Sequence, residues 1–340
     1  MKRWAAAIIG LGLVAPLQAQ EFVPNNPSPF GPPALKTFTE PPPKVGETLP
    51  SPSSVADTPS KDPNADLAFG AYQRGFYATA MREAMKRLAK NKNDGAAMTL
   101  AGELYSQGLG VKPNNTEAAR WYKLAAAAGD PQAMFELGMM MLKGEGVPQD
   151  RAAAKNLFQQ AAAHDHAGAL YNLGIMALQN NGVVADYKSA ASFFTRAADL
   201  SDPSAEYPLA VMYRNGQGVA ADLSKAAELM KRAADEDNIA AIVEYGIMLF
   251  NGVGVEKDEA GAARYFLKAA TRNNPVAQNR AARLLVAGRG VKKDVVEGLK
   301  WHILARSAGL KDEWLESQLR ALTPSERTAV ENAVKAYIGS

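Results

Sequence analysis

Apolar and small residues return along this chain with a period of 36, and the pattern between returns is that of two helices. The clearest marker is a Gly-x-Gly-Val turn beginning at Gly108, Gly144, Gly216, Gly252 and Gly288, with a degenerate copy, Asn180-Asn181-Gly182-Val183, in third place. Before each first helix stands Asp94, Asp130, His166, Asp202, Asn238 or Asn274, mostly side chains that accept a hydrogen bond from the free amides of a helix start. Proline follows at 131, 203 and 275, where the first helical residue has no N–H bond to lose. The pattern predicts a first helix of three to four turns that ends at the glycine, which supplies the positive φ of a C-terminal cap. Three residues after each Val comes Asn114, Asp150, Asp186, Asp222, Asp258 or Asp294, the cap of a second helix.

Small residues keep register as well. One column of the first helix reads Ala97, Ala133, Ala169, Ala205, Ala241, Ala277, and five residues on it reads Gly102, Gly138, Gly174, Ala210, Gly246, Ala282. The second helix carries Ala125, Ala161, Ala197, Ala233, Ala269 and Ala305. Glycine inside a helix costs about 1 kcal/mol against alanine, so its recurrence implies close helix approach. Trp121, Leu157, Phe193, Leu229, Tyr265 and Trp301 are the expected bulky knobs for these holes. Units repeated without insertion form a stack in which each contacts its neighbours.

The consensus Ala-x-x-x-Leu-Gly-x-Met-Tyr-x-x-Gly-x-Gly-Val, then Asp, then Ala-Ala and an aromatic pair before Ala-Ala, resembles the Sel1-like repeat family. Ala133 to Val147 with Asp150, and Ala241 to Val255 with Asp258, carry the resemblance, which covers about residues 66–309. It implies an all-α, right-handed, tetratricopeptide-like solenoid of stacked antiparallel helix pairs, and a protein that holds protein partners. The repeats fall at 94–129, 130–165, 166–201, 202–237, 238–273 and 274–309. A degenerate unit at 65–93, with Tyr72, Gly75, Tyr77 and Ala80, precedes them, and a helical cap at 310–340 follows. In the cap, Leu315, Leu319 and Leu322 form one stripe. Thr323-Pro324-Ser325-Glu326 reads as a capping box leading to Val330, Val334 and Ile338.

Met1-Lys2-Arg3, an apolar stretch from Trp4 to Leu17 and Ala19 have the form of a secretory signal peptide cut after Ala19. The stretch falls short of the ~20 residues that span a bilayer. With no cysteine, disulfides and a lipoprotein anchor are excluded, and the periplasm is the expected compartment. Residues 20–64 hold 12 of the 20 prolines and little to bury, which suits an extended or disordered arm. A net charge of +3 gives no case for nucleic acid.

No cofactor, metal site or catalytic set is expected. His164 and His166 do not share a helix face, and His302 lies far from them in sequence. The Gly-x-Gly turns end helices, whereas phosphate loops open them. What rises above scaffold is the first-helix face opposite Ala133, Leu137, Met140 and Met141. It carries Phe135, Met139 and Leu142, then Tyr171, Ile175 and Leu178, then Tyr207, Val211 and Arg214, then Val243, Ile247 and Phe250. The end repeats place Thr99, Glu103, Ser106 and Asn279, Arg283, Val286 there instead. Two readings stay open: a groove for an amphipathic or extended peptide, or core buried between neighbouring first helices. The functional expectation is a monomeric, non-enzymatic periplasmic adaptor for a protein or peptide. The alternatives are a β-lactam or peptidoglycan-fragment binder or hydrolase, and a soluble inhibitor degraded to release its target.

Overall fold

The computed structural model describes residues 66–179 and 185–339 of the 340-residue chain. The expected signal peptide, the proline-rich arm and the degenerate third turn lie outside the described residues. Among these residues there are sixteen helices and no strand. A leading pair, α1 (Leu67–Gln73) and α2 (Tyr77–Lys90), precedes six regular pairs. These are α3 (Gly95–Gln107) with α4 (Asn115–Ala127), α5 (Pro131–Lys143) with α6 (Arg151–Ala163), and α7 (Ala167–Gln179) with α8 (Tyr187–Asp199). Then come α9 (Pro203–Asn215) with α10 (Leu223–Asp235), α11 (Ile239–Asn251) with α12 (Glu259–Ala270), and α13 (Pro275–Ala287) with α14 (Val295–Ser307). Each first helix packs on its partner, and each second helix packs in turn on the first helix of the next pair, so the described residues form an α-solenoid. Two further helices, α15 (Glu313–Arg320) and α16 (Pro324–Ile338), close the end. None of the described helices is long and apolar enough to cross a membrane.

Both cap columns act as expected. Asp130 accepts the Ala133 amide at 2.9 Å and Asp150 the Ala153 amide at 2.9 Å. His166 does the same work with an imidazole nitrogen, Nδ1 accepting the Ala169 amide at 3.1 Å. The first turn glycine, as at Gly144 and Gly252, ends its helix in the left-handed region at φ +75° and +69°. The second has another duty. A Cβ on Gly146, Gly218, Gly254 or Gly290 would overlap backbone at Asn115, Tyr187, Leu223 or Glu259, each the first residue of the preceding pair's second helix. This glycine is therefore where one repeat's turn is pressed onto the repeat before it.

A column that the sequence pattern left unremarked also sits in the left-handed region. Gly129 and Gly309 share it with Asp165, Ser201, Asp237 and Asn273, which hold φ between 55° and 64°. Asp and Asn tolerate this conformation better than most residues. Asp237 also receives Lys268 of α12 at 2.7 Å and Arg272, just past that helix, at 2.8 Å, which ties the turn to the next repeat.

The knob assignment needs correction. The rings set against the helix glycines are one residue further on: a Cβ at Gly102, Gly138, Gly174 or Gly246 would meet Tyr122, Phe158, Phe194 or Phe266 at 2.6–2.8 Å. Trp121, Leu157, Phe193 and Tyr265 stay half-buried; Leu229 and Trp301 are buried. The reason is helical phase, since one residue turns a side chain by about 100°. A signal for the right column was present in the sequence. Where the hole is Gly the knob is aromatic, and where it is Ala210 or Ala282 the knob is Met230 or His302.

At the C-terminal end Leu315 and Val330 are buried as expected, and the Thr323–Glu326 capping box is formed. Ile338 departs from expectation: it is 70% exposed. Tyr337 takes its place, packing edge-on against Trp301 at 5.1 Å between ring centres and donating to the Thr271 carbonyl at 3.3 Å. Asp312 is the principal tie between cap and solenoid. Its carboxylate receives Arg283 Nε at 2.6 Å and Nη2 at 2.9 Å, Asn279 at 2.8 Å and the Leu315 amide at 3.2 Å. Burial alone would raise its pKa, but the bonds from Arg283, Asn279 and Leu315 outweigh it and the value falls below the usual one. A lowered carboxylate pKa stabilises the fold above the unfolded value, near 3.9, and that contribution fades as pH falls through the folded value. Asp312→Ala should cost about 2 kcal/mol in urea denaturation at pH 7. The gap from the parent chain should narrow on acidification below about pH 4.

Candidate functional site

The face picked out by the periodicity divides in the structure. Phe135 and Val243 are buried, 3% and 7% exposed, and belong to the core rather than to a surface. The Phe135 ring stacks on His166 at 4.6 Å and packs against Phe158 at 5.8 Å, which closes it inside. The other ten residues are half-buried: Met139, Leu142, Tyr171, Ile175, Leu178, Tyr207, Val211, Arg214, Ile247 and Phe250. All but Arg214 rest one side on the core while keeping another accessible. Burial, with the carboxylate of Asp202 second, raises the Tyr171 hydroxyl; burial, with Glu244 second, raises that of Tyr207. Arg214 donates to Glu244 at 2.7 Å across α9 and α11, so its charge is neutralised within the face.

One register position shows the organisation of this surface. Its occupants are Glu103, Met139, Ile175, Val211, Ile247 and Arg283, one from each successive first helix. The four central ones are half-buried aliphatics. Both polar ends have local employment. Glu103 receives the Tyr122 hydroxyl at 2.9 Å and the Gln107 amide. Burial raises its pKa against the opposing bonds from Tyr122 and Tyr72. Arg283 and Asn279 hold Asp312 of the cap. Glu103 is thus held by its own helix pair and by Tyr72 of the leading unit, and Arg283 and Asn279 by the cap, so these polar residues do not of themselves mark the limits of a groove. The sequence could not reveal this, because the partners lie 19 and 29 residues away along the chain.

Between α11 and α13 the face deepens into a hollow of about 110 Å³. Ile247, Phe250, Phe266 and Leu284 wall it, with Arg280 and Arg283 at the rim. The Arg289 guanidinium stands 4.7 Å from the centre of the Phe250 ring and pairs with Glu259. Of these residues only Ile247 and Phe250 were among the candidates from periodicity. Arg280 was missed because it follows the stripe by one position, on the rim instead of the floor.

Other chemistry is sparse. His164 is exposed, while His166 is a buried cap residue whose Nε2 lies 2.9 Å from Gln132. His302 is buried with Nε2 2.9 Å from Glu316, a contact between α14 and α15. Among the described residues no three His, Cys, Asp or Glu side chains are grouped to hold a metal ion.

Against known proteins, the family model described as Sel1 repeat matches six consecutive segments, 95–130, 131–166, 167–202, 203–238, 239–274 and 275–310. The chain belongs to the Sel1 repeat family. The Sel1 boundaries follow the capped helix pairs, each segment starting with the first residue of a first helix. A Sel1 repeat protein from Oxalobacter formigenes has a similar solved structure, with 26% identity and a TM-score of 0.60, over 73% of this chain and all of that one. So does c5321, described as a protective antigen of uropathogenic Escherichia coli with an SLR fold. There the identity is 25% and the TM-score 0.56, over 80% of this chain and 67% of that one. No curated protein matches the chain by sequence. Sel1 solenoids are commonly protein-interaction scaffolds.

Proposed function

We propose that this protein is an exported periplasmic adaptor that docks a protein or peptide partner on the first-helix face of its Sel1 solenoid. The observation that carries the reading is the row Met139, Ile175, Val211 and Ile247, four aliphatic side chains in one register, each anchored on the core and each partly open. Side chains fixed on one side by packing lose little freedom when a partner covers the other, and such preorganisation favours affinity. A stack of helix pairs offers an extended surface rather than an enclosed reaction centre. The signal-like N-terminus supports export to the periplasm.

The test is site-specific photocrosslinking in the native envelope. Probes at Met139 and Ile175 should capture the same protein species, and a probe at the exposed Glu228 of α10 should not. Met139→Lys and Ile175→Lys should abolish capture while lowering stability by less than about 2 kcal/mol, because a lysine stem can lie along an apolar surface with its charge in water. Unfolding of the repeats by either lysine would return these residues to the core and end the proposal.

A further inference from the structure

The hollow between α11 and α13 has a chemistry that the rest of the face lacks. Its walls are apolar, and a cavity of about 150 Å³ is enough for a benzene ring, so its 110 Å³ can take the end of one aliphatic or aromatic side chain. Its rim is cationic. Helix α13 carries Arg280 and Arg283 and no acidic residue. Arg283 is committed to Asp312, 2.6 Å away. Glu244, which holds the position of Arg280 one repeat back, is bound to Arg214 at 2.7 Å. Arg280 is exposed, and among the described residues it takes part in no salt bridge. Elsewhere on the face the one arginine, Arg214, is already neutralised. An apolar anchor point is thus set beside a single uncompensated guanidinium, a planar donor suited to gripping a carboxylate by two parallel hydrogen bonds.

The geometry points to an acidic amphipathic segment of another protein as the occupant: one apolar side chain enters the hollow and a neighbouring Asp or Glu pairs with Arg280. This assignment rests on the docking face proposed above and narrows its partner. The apolar contact supplies most of the affinity, and the ion pair supplies orientation and discrimination against basic segments.

Three fluorescent peptides of about 16 residues, long enough to form a helix, serve as probes against the full chain. All carry leucine at i, i+3, i+4 and i+7, with glutamate, glutamine or lysine at the polar positions. The glutamate peptide should bind about tenfold tighter than the glutamine peptide and tighter still than the lysine peptide, with the preference shrinking as salt is added. Arg280→Glu should erase or invert that order at an unchanged melting temperature. Ile247→Asp should weaken all three alike. Equal binding of the three peptides, an order untouched by Arg280→Glu, or no saturable binding would overturn the acidic partner. So would a concentration-dependent dimer abolished by Ile247→Asp, which would make a second copy the occupant. If the peptides bind alike but Ile247→Asp weakens them, the docking face survives and only the charge assignment falls. If Ile247→Asp changes nothing and the Met139 and Ile175 probes capture nothing, the face falls as well.

Discussion

Gly254→Ala is expected to lose about 3–4 kcal/mol of stability, whereas Gly252→Ala, two residues earlier in the same turn, should lose about 1–2 kcal/mol. Both residues hold positive φ, +69° at Gly252 and +70° at Gly254, so both variants bear the cost of a left-handed L-residue. They differ in what a Cβ would meet. At Gly252 the nearest atom is the Lys257 Cβ at 3.2 Å, a contact that small movements relieve. At Gly254 it is the Leu223 carbonyl at the start of α10, backbone of the preceding repeat that cannot move without parting the two units. In a solenoid, stability is close to a sum of repeat and interface terms, so damage at one interface also lowers cooperativity. Urea denaturation of the two variants gives the comparison, with a shallower transition for Gly254→Ala. Equal losses would mean that the second glycine serves only its own backbone angle.

The second large effect belongs to the aromatic knobs. Phe266 is 2% exposed and seated over Gly246, and Phe266→Ala should cost about 3–5 kcal/mol through lost burial and the cavity left behind. The informative companion is Gly246→Ala combined with Phe266→Met, which copies the fully buried Ala210 and Met230 of the preceding pair. Gly246→Ala alone puts a Cβ 2.8 Å from the ring and forces it aside. That penalty is offset in part by the roughly 1 kcal/mol of helix propensity that alanine adds. With methionine as the knob the obstruction goes and the propensity gain remains. A double-mutant cycle should show favourable coupling of at least about 1 kcal/mol. Strict additivity would deny that hole and knob are matched.

The proposed docking face was half legible. A 100° step along each first helix separates Met139 and Ile175 from the small residues that face the second helix, and the structure leaves both partly open. The same arithmetic also named Phe135 and Val243, which are closed in. Phe135 shows why: the residue that covers it is His166, the cap of the next first helix, and its approach depends on how two repeats sit together. Arg280 escaped for the complementary reason. Its interest lies in the hollow between α11 and α13 and in the ion pairs that occupy its neighbours.

What the sequence determined alone is everything set within about a turn of helix: where each helix starts, which glycine ends it, and that the unit repeats. A cap such as Asp150 bonds an amide three residues away, and a left-handed glycine closes its own helix, so the cause and the effect share one local stretch of chain. The tertiary structure decided which column supplies the knobs, why the second turn glycine is required, and which part of the face stays open. Each of these depends on atoms brought together from different repeats, whose distance and phase follow from packing and cannot be read from spacing along one helix.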